Sequence, residues 1–207
     1  MLNLTRASHA LPLMALLALA ACSAGAGTDQ LQGVVIDQPQ PKPSFVLTDT
    51  SGEPYDFVQE TRGKLTLLYF GYTNCPDICP VHMAQIAEAL DQYPEVADKT
   101  VVVFVTVDPN RDTREVLRSF LDNFNPRFVG LTDTREKVEA AEKAAGVPMA
   151  EVVGGGEGYS VNHAAWVIAY APDGLNYSVY PFGVTQNQWS NDLQILARID
   201  GPKASQS

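Results

Sequence analysis

The spacing of apolar positions changes several times along the 207-residue chain, and each change marks an element. FVLTDTSGEPYDF (45–57) carries two short apolar segments about Ser51-Gly52, the signal of a hairpin. KLTLLYFGY (64–72) is apolar over a strand's length and delivers the chain to Cys75. Met83, Ile86, Ala87 and Leu90 then recur at i, i+3, i+4 and i+7, which predicts a helix with one buried stripe. TVVVFVTV (100–107) is a continuous β-branched run, the pattern of a parallel strand covered on both faces. Leu117, Phe120, Leu121 and Phe124 return to helical spacing behind Asp112 and Glu115, which stand in capping-box register. RFVGLT (127–132) predicts another strand, and Val138, Ala141 and Ala145 another helix, closed by Gly146 and Pro148. The chain ends with two strands about Pro172-Asp173-Gly174 and a helix striped by Trp189, Leu193, Leu196 and Ile199.

Strands alternating with helices and closed by a hairpin predict an α/β fold, a central mixed sheet with helices on its faces. The predicted domain covers 44–200, beginning at Phe45. Residues 22–43 are small, polar and proline-bearing (SAGAGTDQ, then QPQPKP) and predict a linker, flexible first and stiffer after. A disordered tail is expected over 201–207.

Residues 1–21 carry Arg6, no acid, and an apolar run from Leu11 to Ala21 too short to span a bilayer, which predicts a secretory leader. Leu19-Ala20-Ala21-Cys22 resembles a bacterial lipobox. That likeness implies a lipid on Cys22 and an extracytoplasmic domain tethered to a membrane, on the periplasmic side or at the cell surface. The formal charge is −10, and loss of Arg6 with the leader makes it one unit more negative. Nucleic acid is a poor partner for so acidic a chain.

With Cys22 assigned to the anchor, Cys75 and Cys79 remain, an even pair in a compartment that permits a disulfide between them. They lie in GYTNCPDICPVH (71–82), each followed by proline. Proline is tolerated at a helix start, so Pro80 belongs in a first turn, with Cys79 near the N-cap and Cys75 on the loop before it. Helix N-termini favour anions, and a thiolate there is both a nucleophile and a metal ligand. Cys75 also follows a strand end, where sites collect in open α/β sheets, and Asp108-Pro109 follows another. Two thiolates make a poor metal site without a third donor. Of the three histidines, His9 leaves with the leader and His82 falls one position off the apolar stripe, beside Gln85, which predicts a solvated side chain. His163 lies between the glycine-rich VVGGGEGY (152–159) and an apolar strand; simple packing and metal ligation are both open to it.

GKLTLLYFGYTNCPDICP (63–80), VTVDPNRDT (105–113) and YSVNHAAWVIAYAPDG (159–174) together resemble the Sco/SenC family, thioredoxin-like copper chaperones for cytochrome c oxidase assembly. The resemblance implies a thioredoxin-like fold, copper as Cu(I), Cu(II) or both on Cys75, Cys79 and His163, and Asp108 near the metal. It also implies partners: a copper-accepting oxidase subunit, together with periplasmic copper chaperones or thiol reductants. Asn162 departs from the aspartate the family usually has before its histidine. Thiolates suit Cu(I) and imidazole serves either oxidation state. The competing expectation is an extracytoplasmic thiol-disulfide oxidoreductase in which Cys75 and Cys79 are the catalytic redox pair.

Overall fold

A computed structural model describes residues 27–156 and 158–200. The leader, His9, Cys22 and the 201–207 tail lie outside the described residues.

In chain order the elements are β1 (Val34–Val35), β2 (Val46–Asp49), β3 (Pro54–Asp56), α1 (Phe57–Glu60), β4 (Leu65–Gly71), α2 (Ile78–Gln92) and α3 (Pro94–Ala97). They continue with β5 (Thr100–Thr106), α4 (Arg114–Asp122), β6 (Val129–Thr132), α5 (Arg135–Ala144), β7 (Glu151–Val153) and β8 (Ser160–Asn162). β9 (Trp166–Tyr170), β10 (Asn176–Pro181) and α6 (Gln186–Leu196) complete the chain. Eight strands form one mixed sheet in the order β1-β10-β9-β4-β5-β6-β2-β3, and β7 pairs with β8 alone. This is the thioredoxin-like arrangement, a mixed sheet with flanking helices.

The continuous apolar runs take the centre. All seven residues of β4 are buried, and β4 pairs in parallel with β5 from Leu65↔Thr100 to Gly71↔Thr106. A strand covered on both faces has no solvent side to leave polar, which is why the alternation disappears there. Tyr69, Phe104 and Tyr180 face α2, α4 and α6, where Tyr180 stacks on Trp189 at 4.3 Å between ring centroids. Phe57 of α1 meets Tyr170 on the opposite face. At the end of β4, a Cβ on Gly71 would come within 2.9 Å of the Phe104 and Tyr69 rings, so glycine lets the chain leave the sheet just before the cysteine loop.

Several expectations are corrected. The described part of the 22–43 linker is fastened to the domain. Leu31 is buried, Gln32 and Gly33 donate their N–H groups to the fully buried Asp192 carboxylate at 2.8–3.0 Å, and Val34 and Val35 pair with β10. Gly33 is required for that approach, since a Cβ would reach 2.4 Å from Ser178 Oγ. Lys42 Nζ donates to Thr61 O, Lys64 O and Thr66 Oγ1, and burial pushes its pKa down to about 8. Polar composition reads as solvated, but here backbone donors and one carboxylate satisfy each other. Asp112 does not cap α4; Thr113 does, accepting from Val116 N. Val152 and Val153, which open the glycine-rich segment, belong to β7 and pair with β8 in a hairpin running from Glu151↔Asn162 to Val153↔Ser160.

Candidate metal centre

β4 ends at Gly71, and the loop from Tyr72 to Asp77 carries Cys75 to the start of α2. The helix begins at Ile78, earlier than the prolines suggest, so Cys79 stands inside its first turn and Pro80 directly behind. Pro80 fits because the first turn's N–H groups have no intrahelical partner to lose. The β7–β8 hairpin leans back over this loop and brings His163, one residue past β8, to the sulfurs.

One ligand atom from each of Cys75, Cys79 and His163 lies within 4.8 Å of the others. His163 Nε2 is 3.6 Å from Cys79 Sγ, and Nδ1 is 3.1 Å from the Ala164 carbonyl. That carbonyl accepts a hydrogen bond from Nδ1–H and holds the ring with Nε2 turned toward the sulfurs. Tyr72 packs edge-on against the imidazole at 5.6 Å and Tyr69 at 5.9 Å. A cleft of about 250 Å³ opens over the group, lined by Tyr72, Cys75, Asp77, Asn162 and His163. A second cleft, about 580 Å³ between the N-terminal segment and the end of α5, contains neither cysteine nor histidine among its lining residues.

The two thiols are free and differ in character. Cys75 is half-buried and its pKa is pulled down to about 3, chiefly because the Cys79 thiol donates to its sulfur, with help from His163 and from the Cys79 and Asp77 N–H groups against burial. Cys79 N donates to Cys75 Sγ at 3.4 Å. Burial pushes the Cys79 thiol up, and holding the shared hydrogen pushes it further. Tyr69, kept protonated mainly by burial, donates its hydroxyl to Cys79 Sγ at 3.5 Å. The first proton to leave the pair is therefore the one on Cys75.

Asp108 is fully buried and lies next to the site without joining the three donors: Oδ1 accepts from Tyr159 OH at 2.7 Å and Oδ2 from Arg111 Nε. Asn162 is exposed at the cleft. The expectation of a solvated His82 is overturned. It is fully buried where α2 meets α6, with Tyr69, Phe182 and Trp189 around it. α2 is covered on two sides, by the sheet and by α6, so its buried sector is wider than the stripe of Met83, Ile86 and Leu90. Sequence reasoning also missed Arg111, Asp112 and Tyr159. All three stand inside the motifs already quoted, and the charged residues beside Asp108 were the available signal.

Burial holds the His82 imidazole below its ordinary pKa, so the folded protein keeps it neutral. An unfolded chain takes up that proton below about pH 6.5, which makes the folded state lose stability as pH falls from there, by at most ~1.4 kcal/mol per pH unit. His82→Phe, which keeps the ring and removes the titration, is expected to flatten the decline in melting temperature between pH 7 and pH 5. An unchanged acid limb would mean that other groups set it.

A thioredoxin-like domain with two thiols and an imidazole converging at the strand-to-helix loop has the donor set of a soft-metal site. The chain belongs to the SCO1/SenC family, whose profile matches residues 35–198. It is similar to the mitochondrial SCO1 homolog of Homo sapiens, with 36% identity over 138 residues, 63% of this chain and 44% of that one, so it spans under half of the human protein's length. Among solved structures it is similar to Bradyrhizobium japonicum ScoI with copper bound, with 31% identity, a TM-score of 0.68, and 76% and 99% of the two chains covered. Yeast Sco1 with copper bound aligns at 28% identity and a TM-score of 0.67, covering 75% of this chain and 87% of that one.

Proposed function

We propose that this protein binds copper through Cys75, Cys79 and His163 and passes it to a copper-accepting subunit of cytochrome c oxidase outside the cytoplasmic membrane. The observation that carries the reading is the convergence of the three donor atoms within 4.8 Å. Two thiolates and one imidazole fit copper in either oxidation state, whereas a closed zinc site takes four ligands. The copper-bound ScoI and Sco1 structures support the metal, and family membership supports the oxidase as destination. Release is part of the design: two donors share one loop and helix turn, while the third comes from a separate hairpin and can withdraw alone. Asn162, uncharged where the family usually has aspartate, gives the acceptor a hydrogen-bonding group without an added negative charge beside the metal. A lipid on Cys22 would hold the domain at the membrane where such an acceptor resides.

The low pKa of Cys75 beside the cleft favours a second reading, reduction of the acceptor's cysteines. Cys75 thiolate would attack an acceptor disulfide and Cys79 would then displace the acceptor thiol, leaving Cys75–Cys79 oxidised and the acceptor reduced by two electrons. An anaerobic copper titration of the 27–200 domain separates the two. The expected result is one copper per chain, lost when both cysteines are alkylated. Absent copper uptake together with turnover of a disulfide substrate would replace the first reading by the second.

A further inference from the structure

The loop between β5 and α4 holds both halves of the site. Asp112, fully buried, accepts from Thr73 N at 2.9 Å, from Thr73 Oγ1 at 2.6 Å and from Thr106 Oγ1 at 2.6 Å, which ties the cysteine loop to the end of β5. Asp108 and Arg111 face the hairpin instead. Tyr159 OH donates to Asp108 Oδ1, Arg111 Nη1 donates to the Tyr159 carbonyl at 2.9 Å, and the guanidinium carbon lies 3.5 Å from the centre of the Tyr159 ring. Tyr159 is thus gripped at its hydroxyl, its ring face and its backbone, by a charge-assisted bond and a cation–π contact.

That grip falls where the hairpin needs it. At the base, Ala150 donates its N–H to Glu142 Oε1 and accepts from Arg135 Nη2 at 2.8 Å. At the turn, a Cβ added to Gly155, Gly156 or Gly158 would meet nothing within 4 Å, so the tip stands clear of the domain. Tyr159 follows the tip and immediately precedes β8, the strand that ends at Asn162 beside His163. Arg111 also reaches toward Tyr72, 5.9 Å from its ring centre, and Tyr72 packs on the His163 imidazole.

We propose that Asp108, Arg111 and Tyr159 form a latch that holds the His163 arm against the two sulfurs and sets the rate at which copper leaves the site. The proposal rests on the copper-site reading above. The three are positioning residues: they act through the hairpin, and opening the latch withdraws one nitrogen donor while Cys75 and Cys79 keep theirs.

The test is a double-mutant cycle in the 27–200 domain. Tyr159→Phe removes the hydroxyl bond and keeps the ring; Arg111→Lys keeps the charge and removes the planar fork. In metal-free protein, each is expected to speed hydrogen exchange of the 160–163 amides relative to those of β4. In copper-loaded protein, each is expected to raise release to a chelator roughly tenfold, the scale of one hydrogen bond to a charged group. In a His163→Ala background the same substitutions should add nothing, since the ligand they position is gone. Unchanged exchange and release in both variants would overturn the latch, and so would an equal acceleration with and without His163, which marks a general loosening. Failure of the underlying reading looks different: wild-type protein would take up no copper, or His163→Ala would release it at the wild-type rate.

Discussion

His163→Ala is expected to weaken copper retention at least ~100-fold, beyond the effect typical of an outer partner of a metal ligand. The loss should be larger for Cu(II) than for Cu(I), because the two soft thiolates left behind still suit Cu(I). The site predicts this asymmetry directly: His163 is the only nitrogen donor in the cluster, and His82 is locked between α2 and α6 with no place in it. The Cys75–Cys79 couple should meanwhile move by less than ~30 mV, one tenfold step for a two-electron reaction. Cys75 is lowered first by Cys79 and only then by His163, so most of the thiolate's support survives the substitution. Competition with chelators of known affinity, in each oxidation state, measures the first quantity, and equilibration with a thiol redox buffer the second. Unaltered affinity would remove His163 from the ligand set.

In metal-free protein, iodoacetamide is expected to label Cys75 alone, at a rate nearly independent of pH from 5.5 to 8. An ordinary thiol with a pKa near 8.5 loses about tenfold in rate for each unit of pH below that value. Cys75, brought down to about 3, is already thiolate across the whole window. Its absolute rate should be modest, since nucleophilicity falls as pKa falls. Cys79 is buried, held protonated, and capped by Tyr69, and should react only after unfolding. Mass spectrometry of the alkylated peptides distinguishes the two positions. Equal labelling of both cysteines, or a tenfold fall in rate per pH unit, would contradict the asymmetry. The same asymmetry bears on either function: it fixes Cys75 as the first sulfur to meet a metal or a disulfide and Cys79 as the second.

The centre of the fold is legible in the sequence because its strands announce themselves. KLTLLYFGY and TVVVFVTV leave no polar face, and such runs have few alternatives to a doubly covered parallel pair. The periphery is less legible. β1 is two exposed valines and β7 three exposed residues, too short for any period, and both exist because a partner strand lies beside them. Asp192 gave no signal at all. It reads as a polar residue on a helix, and only the fold shows that its carboxylate receives the backbone of Gln32 and Gly33 from 160 residues away. His82 misleads for the same reason, since the second helix that buries it is remote in sequence. At the site, the nearness of His163 to the sulfurs depends on a hairpin whose position is set by Tyr159, Arg111 and Asp108. The residue types are visible beforehand, but their mutual grip is not.

The fastening of the N-terminal segment has a consequence for reach. If Cys22 carries a lipid, the six residues from there to Thr28 span no more than ~20 Å even when fully drawn out. A chain free as far as Phe45 would give ~80 Å of leash by the same measure. On that condition Asp192 would act as a mooring cleat, shortening the leash so that the domain rides low over the bilayer, within range of neighbours embedded in that same sheet of lipid.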